Sequence, residues 1–174
     1  MANINKLVPK IFGWEGGWSD HKDDKGGKTN MGVTLSTWRS CGYDKDGDGD
    51  IDSNDLKLVT KADVVNLLKK HYWNRWKADD IKNQSVAEIL VDWVWASGVN
   101  GIKIPQRTIG VVADGVVGNK TISALNAMDQ HKLFNAIKKA RIGFVNDICK
   151  RDASQRVFLK GWTNRINSFN YEET

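Results

Sequence analysis

Apolar residues recur at helical spacing along nearly the whole chain, and this periodicity limits the possible folds more than any other feature. The first stripe follows i, i+3, i+4, i+7 and i+8 with Ile4, Leu7, Val8, Ile11 and Phe12. Similar stripes run through 86–94, 133–148 and 157–169. Few segments alternate apolar and polar residues, so at most one hairpin is expected. The sequence predicts a mainly α-helical fold with a small loop or hairpin element.

Polar residues at the predicted helix starts define two boundaries. Thr60 and Asp63 approximate a capping box for a helix over 61–73. Ser85 and Glu88 form a second box, which predicts the start of the next helix.

Composition indicates a folded chain and limits its class. The chain has 174 residues, 40% of them apolar, which suits one domain or two small lobes. No apolar run approaches the roughly 20 residues that cross a bilayer, and the N-terminus lacks the pattern of a secretory signal. We therefore expect neither membrane insertion nor conventional export. Cys41 and Cys149 are expected as free thiols, since two cysteines cannot build a disulfide scaffold.

The net charge of +5 conceals an acidic segment in a basic chain. Residues 44–55 hold six aspartates and one lysine, a balance of −5, so the remainder carries +10. A basic surface suits a polyanionic partner, whether nucleic acid, a membrane surface or an acidic cell wall. Because the chain shows no nucleic-acid-binding motif, the cell wall is the preferred interpretation.

The acidic segment follows the pattern of a twelve-residue EF-hand loop, with Gly49 at the sharp turn of position 6 and an apolar residue, Ile51, at position 8. Its carboxylates stand at positions 1, 3, 5, 7, 9 and 12: Asp44, Asp46, Asp48, Asp50, Asp52 and Asp55. Position 7 of such a loop offers its backbone carbonyl. Ca²⁺ takes six to eight oxygen ligands, which a loop can converge only by curling tightly. The pattern predicts a Ca²⁺ site.

Two alternatives to a calcium sensor stay open for this loop. The first is a solvated acidic loop without an ion, and the second is a loop with a structural ion. Of the two divalent ions, Mg²⁺ is disfavoured because it avoids crowded all-protein cages. Asp55 replaces the glutamate usual at position 12 of sensor loops and resembles the loops of dockerin modules, which are structural. Since no second loop is present to pair with it, we expect a structural ion that pins the loop near the functional cleft.

A carboxylate constellation follows the first predicted helix. Glu15 ends that helix between Trp14 and Trp18, and apolar surroundings favour the neutral carboxyl group that a general acid needs. A Gly-rich loop then returns further polar residues toward it: Asp20, Asp23, Asp24 and Thr29. Two carboxyl groups in different environments are the minimum for glycosidic bond hydrolysis. An ordinary helix end followed by an ordinary loop is the structural alternative.

Several motifs resemble glycoside hydrolase family 108, the phage and prophage lysozyme-like N-acetylmuramidases. The N-terminal match is Glu15-Gly16-Gly17 with Asp24-Lys25-Gly26-Gly27-Lys28-Thr29-Asn30-Met31-Gly32-Val33. The C-terminal match, to the peptidoglycan-binding-type helical region of that family, is Asp92-Trp93, Asp114-Gly115 and Phe158 … Gly161-Trp162 … Arg165 … Phe169. The resemblance implies a lysozyme-like fold with a catalytic part over 1–80, into which the loop 44–55 is inserted, and a peptidoglycan-binding-type part over 81–174, packed together.

The resemblance also implies hydrolysis of the β-1,4 bond between N-acetylmuramic acid and N-acetylglucosamine. Glu15 matches the catalytic glutamate and is expected to be the general acid. The spacing Glu-x8-Asp-x4-Thr is similar to that of phage-type lysozymes, which suggests Asp24 as the base and Thr29 as a water-orienting hydroxyl. Asp20 or Asp23 could serve as the base instead. We expect inversion, which needs roughly 6.5–9.5 Å between the two carboxyl groups.

Further residues are assigned to the substrate or to the core. Trp18, beside the predicted acid, is the preferred sugar-stacking residue, and Asp20 and His21 of the same loop are candidate substrate contacts. Trp93 and Trp162 lie on apolar stripes and are expected in the core.

The sequence thus predicts a peptidoglycan hydrolase of lysozyme type, a monomer made in the bacterial or phage-infected cytoplasm that reaches the wall after release, as an endolysin does. The alternative is a non-catalytic, calcium-stabilised peptidoglycan-binding protein, which predicts a damaged acidic constellation. An intact Glu15 favours the enzyme. A dockerin-type interaction module is a weaker third hypothesis, because it requires paired calcium loops.

Overall fold

The computed structural model of the chain describes residues 1–22 and 27–173. Within these ranges the structure is mainly helical, with one small antiparallel hairpin, as predicted. The α-helices are α1 (Ile4–Trp14), α2 (Leu35–Cys41), α3 (Ser53–Lys57), α4 (Lys61–Leu68), α5 (Gln84–Ser97), α6 (Asn100–Thr108), α7 (Asn119–Ala127), α8 (Gln130–Arg151) and α9 (Arg156–Ser168). The hairpin is β1 (Thr29–Asn30) and β2 (Val33–Thr34). Shorter helical turns are Lys69–Trp73, Ala78–Asp80 and Ala153–Gln155.

The chain divides into two compact units. The N-terminal unit is Asn5–His71, and the C-terminal unit is Tyr72–Thr174 together with Met1–Ile4. The predicted boundary between residues 80 and 81 stays a prediction.

The N-terminal unit packs α1 to α4 and the hairpin around a small apolar core. Its fully buried side chains are Leu7, Ile11, Val33, Trp38, Leu56, Val64 and Leu68. The capping box of α4 is present, because the Thr60 side chain accepts from the Asp63 amide and the Asp63 side chain accepts from the Thr60 amide. Since α4 continues through the turn Lys69–Trp73, the prediction of a helix over 61–73 is confirmed.

Helix α5 is the centre of the C-terminal unit. All of its residues from Gln84 to Val94 are buried, and it packs against α6 and α8, with α9 against α8. The predicted box at Ser85 and Glu88 is wrong. Asn83 caps α5 instead, accepting from the Val86 amide at 3.0 Å. The physical reason is that both predicted groups are used otherwise: Ser85 Oγ accepts from the Glu172 amide, and Glu88 accepts from Gln84 Nε2.

The two tryptophans predicted in the core differ in their burial. Trp93 is fully buried, as expected. Trp162 is only half-buried, so its prediction is wrong. It lies four residues after Phe158 on α9 and stacks on that ring, with 5.7 Å between centroids, so part of its surface is covered by a neighbour on the same helix.

A buried ion cluster joins three helices of the C-terminal unit. Asp92 of α5 contacts Arg141 of α8 and Arg165 of α9, each at 2.7 Å. Burial favours the neutral carboxyl group of Asp92, but the charges of the two arginines outweigh it and lower its pKa.

Two sequence expectations concern cysteines and membranes. Cys41 and Cys149 are both free thiols, as expected. In the described part of the chain, no helix is both long enough and apolar enough to span a bilayer.

Candidate active site

Glu15 extends the last turn of α1. Its amide donates to the Ile11 carbonyl at 3.1 Å, after which Gly16 and Gly17 follow in non-helical backbone. The Glu15 side chain is half-buried, and the flanking Trp14 and Trp18 are each 41% exposed. A carboxyl group therefore lies at a helix end, flanked in the sequence by two partly exposed tryptophans.

The turn of the hairpin lies directly against this carboxyl group. Met31 and Gly32 have φ values of 48° and 80°, and positive φ at both central residues is the feature of the type I′ turn. A Cβ atom added at Gly32 would overlap the Cδ and Oε2 atoms of Glu15. Only a glycine at position 32 allows the backbone to approach Glu15 this closely.

A β-bridge brings the segment after Glu15 to the hairpin. The Ser19 and Thr29 amides each donate to the other's carbonyl at 2.9 Å. Trp18 adjoins this bridge, and Thr29 lies on the strand that leads into the turn over Glu15. The structure thus joins the segment that follows Glu15 and carries Trp18 to the hairpin strand that carries Thr29.

The two faces of the hairpin have different surroundings. Asn30 and its cross-strand partner Val33 are buried, and Asn30 Nδ2 donates to the carbonyls of Leu56 and Lys57 at 2.9 and 3.3 Å. Because successive side chains of a strand point to opposite faces, Thr29 points away from this buried contact. Thr29 is itself only half-buried.

The remaining predicted site residues are either exposed or outside the described ranges. Asp20 and His21 are exposed. Asp24, the predicted base, and its alternative Asp23 lie outside the described residues.

The acidic loop is tightly curled. Gly47 and Gly49 have φ values of 80° and 99°, and their amides donate to the Asp44 carboxylate at 2.6 and 2.9 Å. At the other end, the Asp55 carboxylate accepts from the amides of Lys45 and Asp52 at 2.6 and 2.7 Å. The loop therefore closes on its first and last carboxylates.

Carboxylates of the loop form two groups that could hold a metal ion. Asp44, Asp46 and Asp48 form one group and Asp50, Asp52 and Asp55 the other, with oxygen atoms within 4.8 Å of one another in each. The charge of Asp48 is the main cause that raises the pKa of Asp50, whereas the amides of Asp52 and Lys45 lower that of Asp55. Such crowding of like charges is what a bound cation would relieve.

Three residues of the site were not assigned a role from the sequence. Gly32 and Asn30 were noticed only as members of a motif, although a glycine shortly after a strand is a turn signal. Lys57 gave no signal, yet its Nζ lies 5.0 Å from the centroid of the Trp18 ring. That contact depends on the placement of α3, which periodicity does not predict.

Comparison with known families decides the assignment. The model of glycosyl hydrolase 108 matches residues 8–98, just over half of the chain. The chain belongs to glycosyl hydrolase family 108. Residues 100–167 match a second model, described as a predicted peptidoglycan domain. The predicted family is therefore confirmed, and both of its expected parts are present in this member.

A solved structure extends the comparison to nearly the full chain. The solved structure of SagA from Brucella abortus is similar, with a TM-score of 0.79 and 32% sequence identity. The alignment covers 95% of this chain and 90% of the SagA chain. A search of curated proteins found no match. The lysozyme-like helical fold is confirmed, and this family 108 member is a glycoside hydrolase whose partner is peptidoglycan.

Proposed function

We propose that the enzyme is an N-acetylmuramidase, cleaving the β-1,4 bond between N-acetylmuramic acid and N-acetylglucosamine. The observation that carries the proposal is the glycine turn closed against Glu15 at the end of α1. An ordinary helix end has no need of a positive-φ turn built onto its last carboxyl group. Membership of family 108 and the matched peptidoglycan domain give the substrate class.

In the proposed mechanism Glu15 is the general acid that protonates the leaving glycosidic oxygen. Glu15 is half-buried at the end of α1, and the partly exposed side chains of Trp14 and Trp18 offer accessible aromatic surface to a glycan. Asp24 is the proposed base that activates a water molecule, and the Thr29 hydroxyl orients this water. Attack from the opposite face of the sugar gives inversion at the anomeric carbon.

Substrate binding is proposed to extend from Trp18 to Asp20 and His21, which lie along the loop after Glu15. The C-terminal unit, which carries the peptidoglycan-domain match, is proposed to hold the glycan strand. An enzyme of this kind would act on the wall after release from the cytoplasm, as endolysins do.

Digestion of purified peptidoglycan tests the bond that is cleaved. We expect fragments ending in reducing N-acetylmuramic acid, identified by mass spectrometry after borohydride reduction. Fragments ending in reducing N-acetylglucosamine would contradict the proposal, as would binding without cleavage. The anomer formed first, followed by NMR on soluble fragments, distinguishes inversion from retention.

A panel of Asp→Asn variants tests the base. Asp24→Asn is expected to lower kcat by about 10²-fold or more, the range of general base catalysis. Asp20→Asn and Asp23→Asn test the two alternative bases, since each removes one charge from the same loop. A loss of kcat in one of these two variants while Asp24→Asn stays active would move the base to that residue.

We further propose that the acidic loop binds a structural Ca²⁺. Six carboxylates, a curled backbone and hard oxygen donors fit this ion. The proposed ligands are the side chains of Asp44, Asp46, Asp48, Asp52 and Asp55 and the carbonyl of Asp50. The ion would supply positive charge and fix the start of α3, whose capping box consists of Asp52 and Asp55.

A further inference from the structure

Asn30 is a buried amide whose contacts extend far along the chain. Only 8% of its surface is exposed. Its Nδ2 donates to the carbonyls of Leu56 and Lys57, which lie 26 and 27 residues away in the last turn of α3. The last carbonyls of a helix have no partner within the helix, and the Leu56 carbonyl also accepts from the Val59 amide at 3.3 Å. The amide of Asn30 therefore adds a side-chain donor at the end of α3 and fixes β1 to it.

The chemistry of this contact is specific to an amide donor. Both partners are carbonyl oxygens, which only accept hydrogen bonds, and an NH₂ group supplies two donors at one atom. An aspartate of the same shape would place acceptors against acceptors. An alanine would leave both carbonyls without the side-chain donor.

Asn30 immediately precedes the turn that lies against Glu15. Met31 and Gly32 are the two central residues of that turn, and Val33 on its other side is 1% exposed. With both flanking residues buried, a two-residue turn has little freedom to move. The place of the Gly32 backbone against the Glu15 carboxyl group is therefore set by how β1 is anchored.

We infer that Asn30 is a positioning residue for Glu15, acting through the Met31–Gly32 turn that it ties to the last turn of α3. The inference rests on the proposed function, in which Glu15 is the acid. Lys57 belongs to the same turn of α3, and its Nζ lies over Trp18. One turn of α3 thus supports both the backbone that covers the acid and an aromatic ring beside it.

The activity test compares Asn30→Ala and Asn30→Asp with Thr60→Ala on a soluble peptidoglycan fragment. Thr60→Ala is the matched control, because it removes a capping hydrogen bond from α4 in the same unit without touching the hairpin. Both Asn30 variants should lower kcat by about tenfold or more with KM nearly unchanged, since misplacement of a reacting group acts on the chemical step. The control should lose thermal stability but keep kcat.

A second measurement does not depend on activity. Amide hydrogen exchange, followed by NMR in each variant, reports on the anchoring itself. Exchange over residues 29–34 should accelerate in Asn30→Ala and stay unchanged in Thr60→Ala. If the wild type cleaves no peptidoglycan, the proposed function fails, and this exchange still decides whether Asn30 holds the turn.

Two results would overturn the inference. In the first, Asn30→Ala loses stability as the control does while its kcat stays within twofold of wild type, which would leave Asn30 a merely structural residue. In the second, exchange over residues 29–34 is the same in Asn30→Ala as in wild type.

Discussion

At the residue scale, the missing side chain at position 32 shapes the site. The Gly32 backbone has a φ of 80° and fills the space beside the Glu15 carboxyl group, where a Cβ atom would overlap Cδ and Oε2. Two separate demands thus fall on one residue: a left-handed backbone and no side chain. Gly110 has a φ of 77° but nothing within 4 Å of an added Cβ, so it shares only the first demand.

Comparing Gly32 with Gly110 separates the effect of backbone strain from the effect of the contact with Glu15. Both Gly32→Ala and Gly110→Ala should cost about 1 kcal/mol or somewhat more in stability, the usual cost of a left-handed backbone for a residue with Cβ. Only Gly32→Ala should also lower kcat on peptidoglycan, by about tenfold or more, because the turn or Glu15 must shift. Chemical denaturation and initial rates measure the two effects. Equal kcat in the two variants would contradict a role of the turn in holding Glu15.

Single residues were predictable where their chemistry is local. Glu15 and Trp18 could be chosen because a carboxyl group and an indole lie next to a helix end in the sequence itself. Asn30 could not be distinguished from any polar strand residue, since its partners are 26 and 27 residues away. Trp162 was misplaced because an apolar stripe identifies a face of a helix, not how deeply that face is buried.

At the scale of elements, α4 is tied to the acidic loop by one carboxylate. Partial burial disfavours the charge of Asp63, but hydrogen bonds from Lys45, Thr60 and Tyr43 outweigh this effect and lower its pKa to about 2. The Lys45 Nζ contact is 2.7 Å long, and Lys45 is the second residue of the loop.

The lowered pKa of Asp63 predicts a pH dependence of stability. A carboxyl group whose pKa is lower in the folded state than in the unfolded state stabilises the fold. This contribution is fully present above the unfolded pKa of about 3.9 and is lost as the pH falls toward the folded value of about 2. Because the hydrogen bonds of Asp63 lie near solvent, which screens them, the linked contribution is on the order of 1 kcal/mol. Urea unfolding at several pH values should therefore show wild type and Asp63→Asn converging below about pH 4. A difference that stays constant from pH 6 to pH 3 would contradict the linkage.

The acidic loop predicts a response to calcium. At a concentration of Ca²⁺ 100-fold above Kd, binding to the folded state should add about 2.7 kcal/mol to the free energy of unfolding, and excess EGTA should remove it. Asp48→Asn should weaken the effect, whereas Asp147→Asn on the exposed surface of α8 should not. Melting curves with Ca²⁺, Mg²⁺ and EGTA provide the measurement. Curves that coincide in Ca²⁺ and EGTA would remove the calcium proposal.

The ends of helices were predictable where the capping residues form hydrogen bonds with each other within the same few residues. The box of Thr60 and Asp63 lies within four residues, so sequence spacing identified it. The start of α5 was missed by two residues because the Ser85 hydroxyl is used by the backbone of Glu172, from the far end of the chain. Periodicity alone did not indicate α6, whose nine residues include Pro105.

At the scale of the whole molecule, the C-terminal unit depends on a buried charge cluster. Asp92 is fully buried between Arg141 and Arg165, and Arg141 is itself buried. Removing the carboxylate would leave an uncompensated buried guanidinium group.

The cluster predicts a large stability loss on substitution. Asp92→Ala should lower the free energy of unfolding by about 3–5 kcal/mol, the usual cost of breaking a buried pair. Asp147→Ala is the control, because its ion pair with Lys150 is exposed and 3.9 Å long, and its effect should stay within about 0.5 kcal/mol. Denaturant unfolding of both variants measures the difference. A comparable small loss in the two variants would show that the cluster is not needed for stability.

The helical class of the molecule followed from its apolar stripes, and its family from motifs spread over both halves. The way in which Asp92 joins α5, α8 and α9 did not follow, because contacts between helices depend on three-dimensional packing that no local pattern encodes. The same limit applies to the approach of the hairpin to Glu15.

The most direct test of the whole proposal compares wild type with Glu15→Gln on purified peptidoglycan, with Glu173→Gln as a surface control. Wild type and control should release fragments ending in reducing N-acetylmuramic acid, and Glu15→Gln should release them at least about 10²-fold more slowly while keeping its melting temperature. Cleavage by Glu15→Gln at the wild-type rate would contradict the assignment of Glu15 as the general acid.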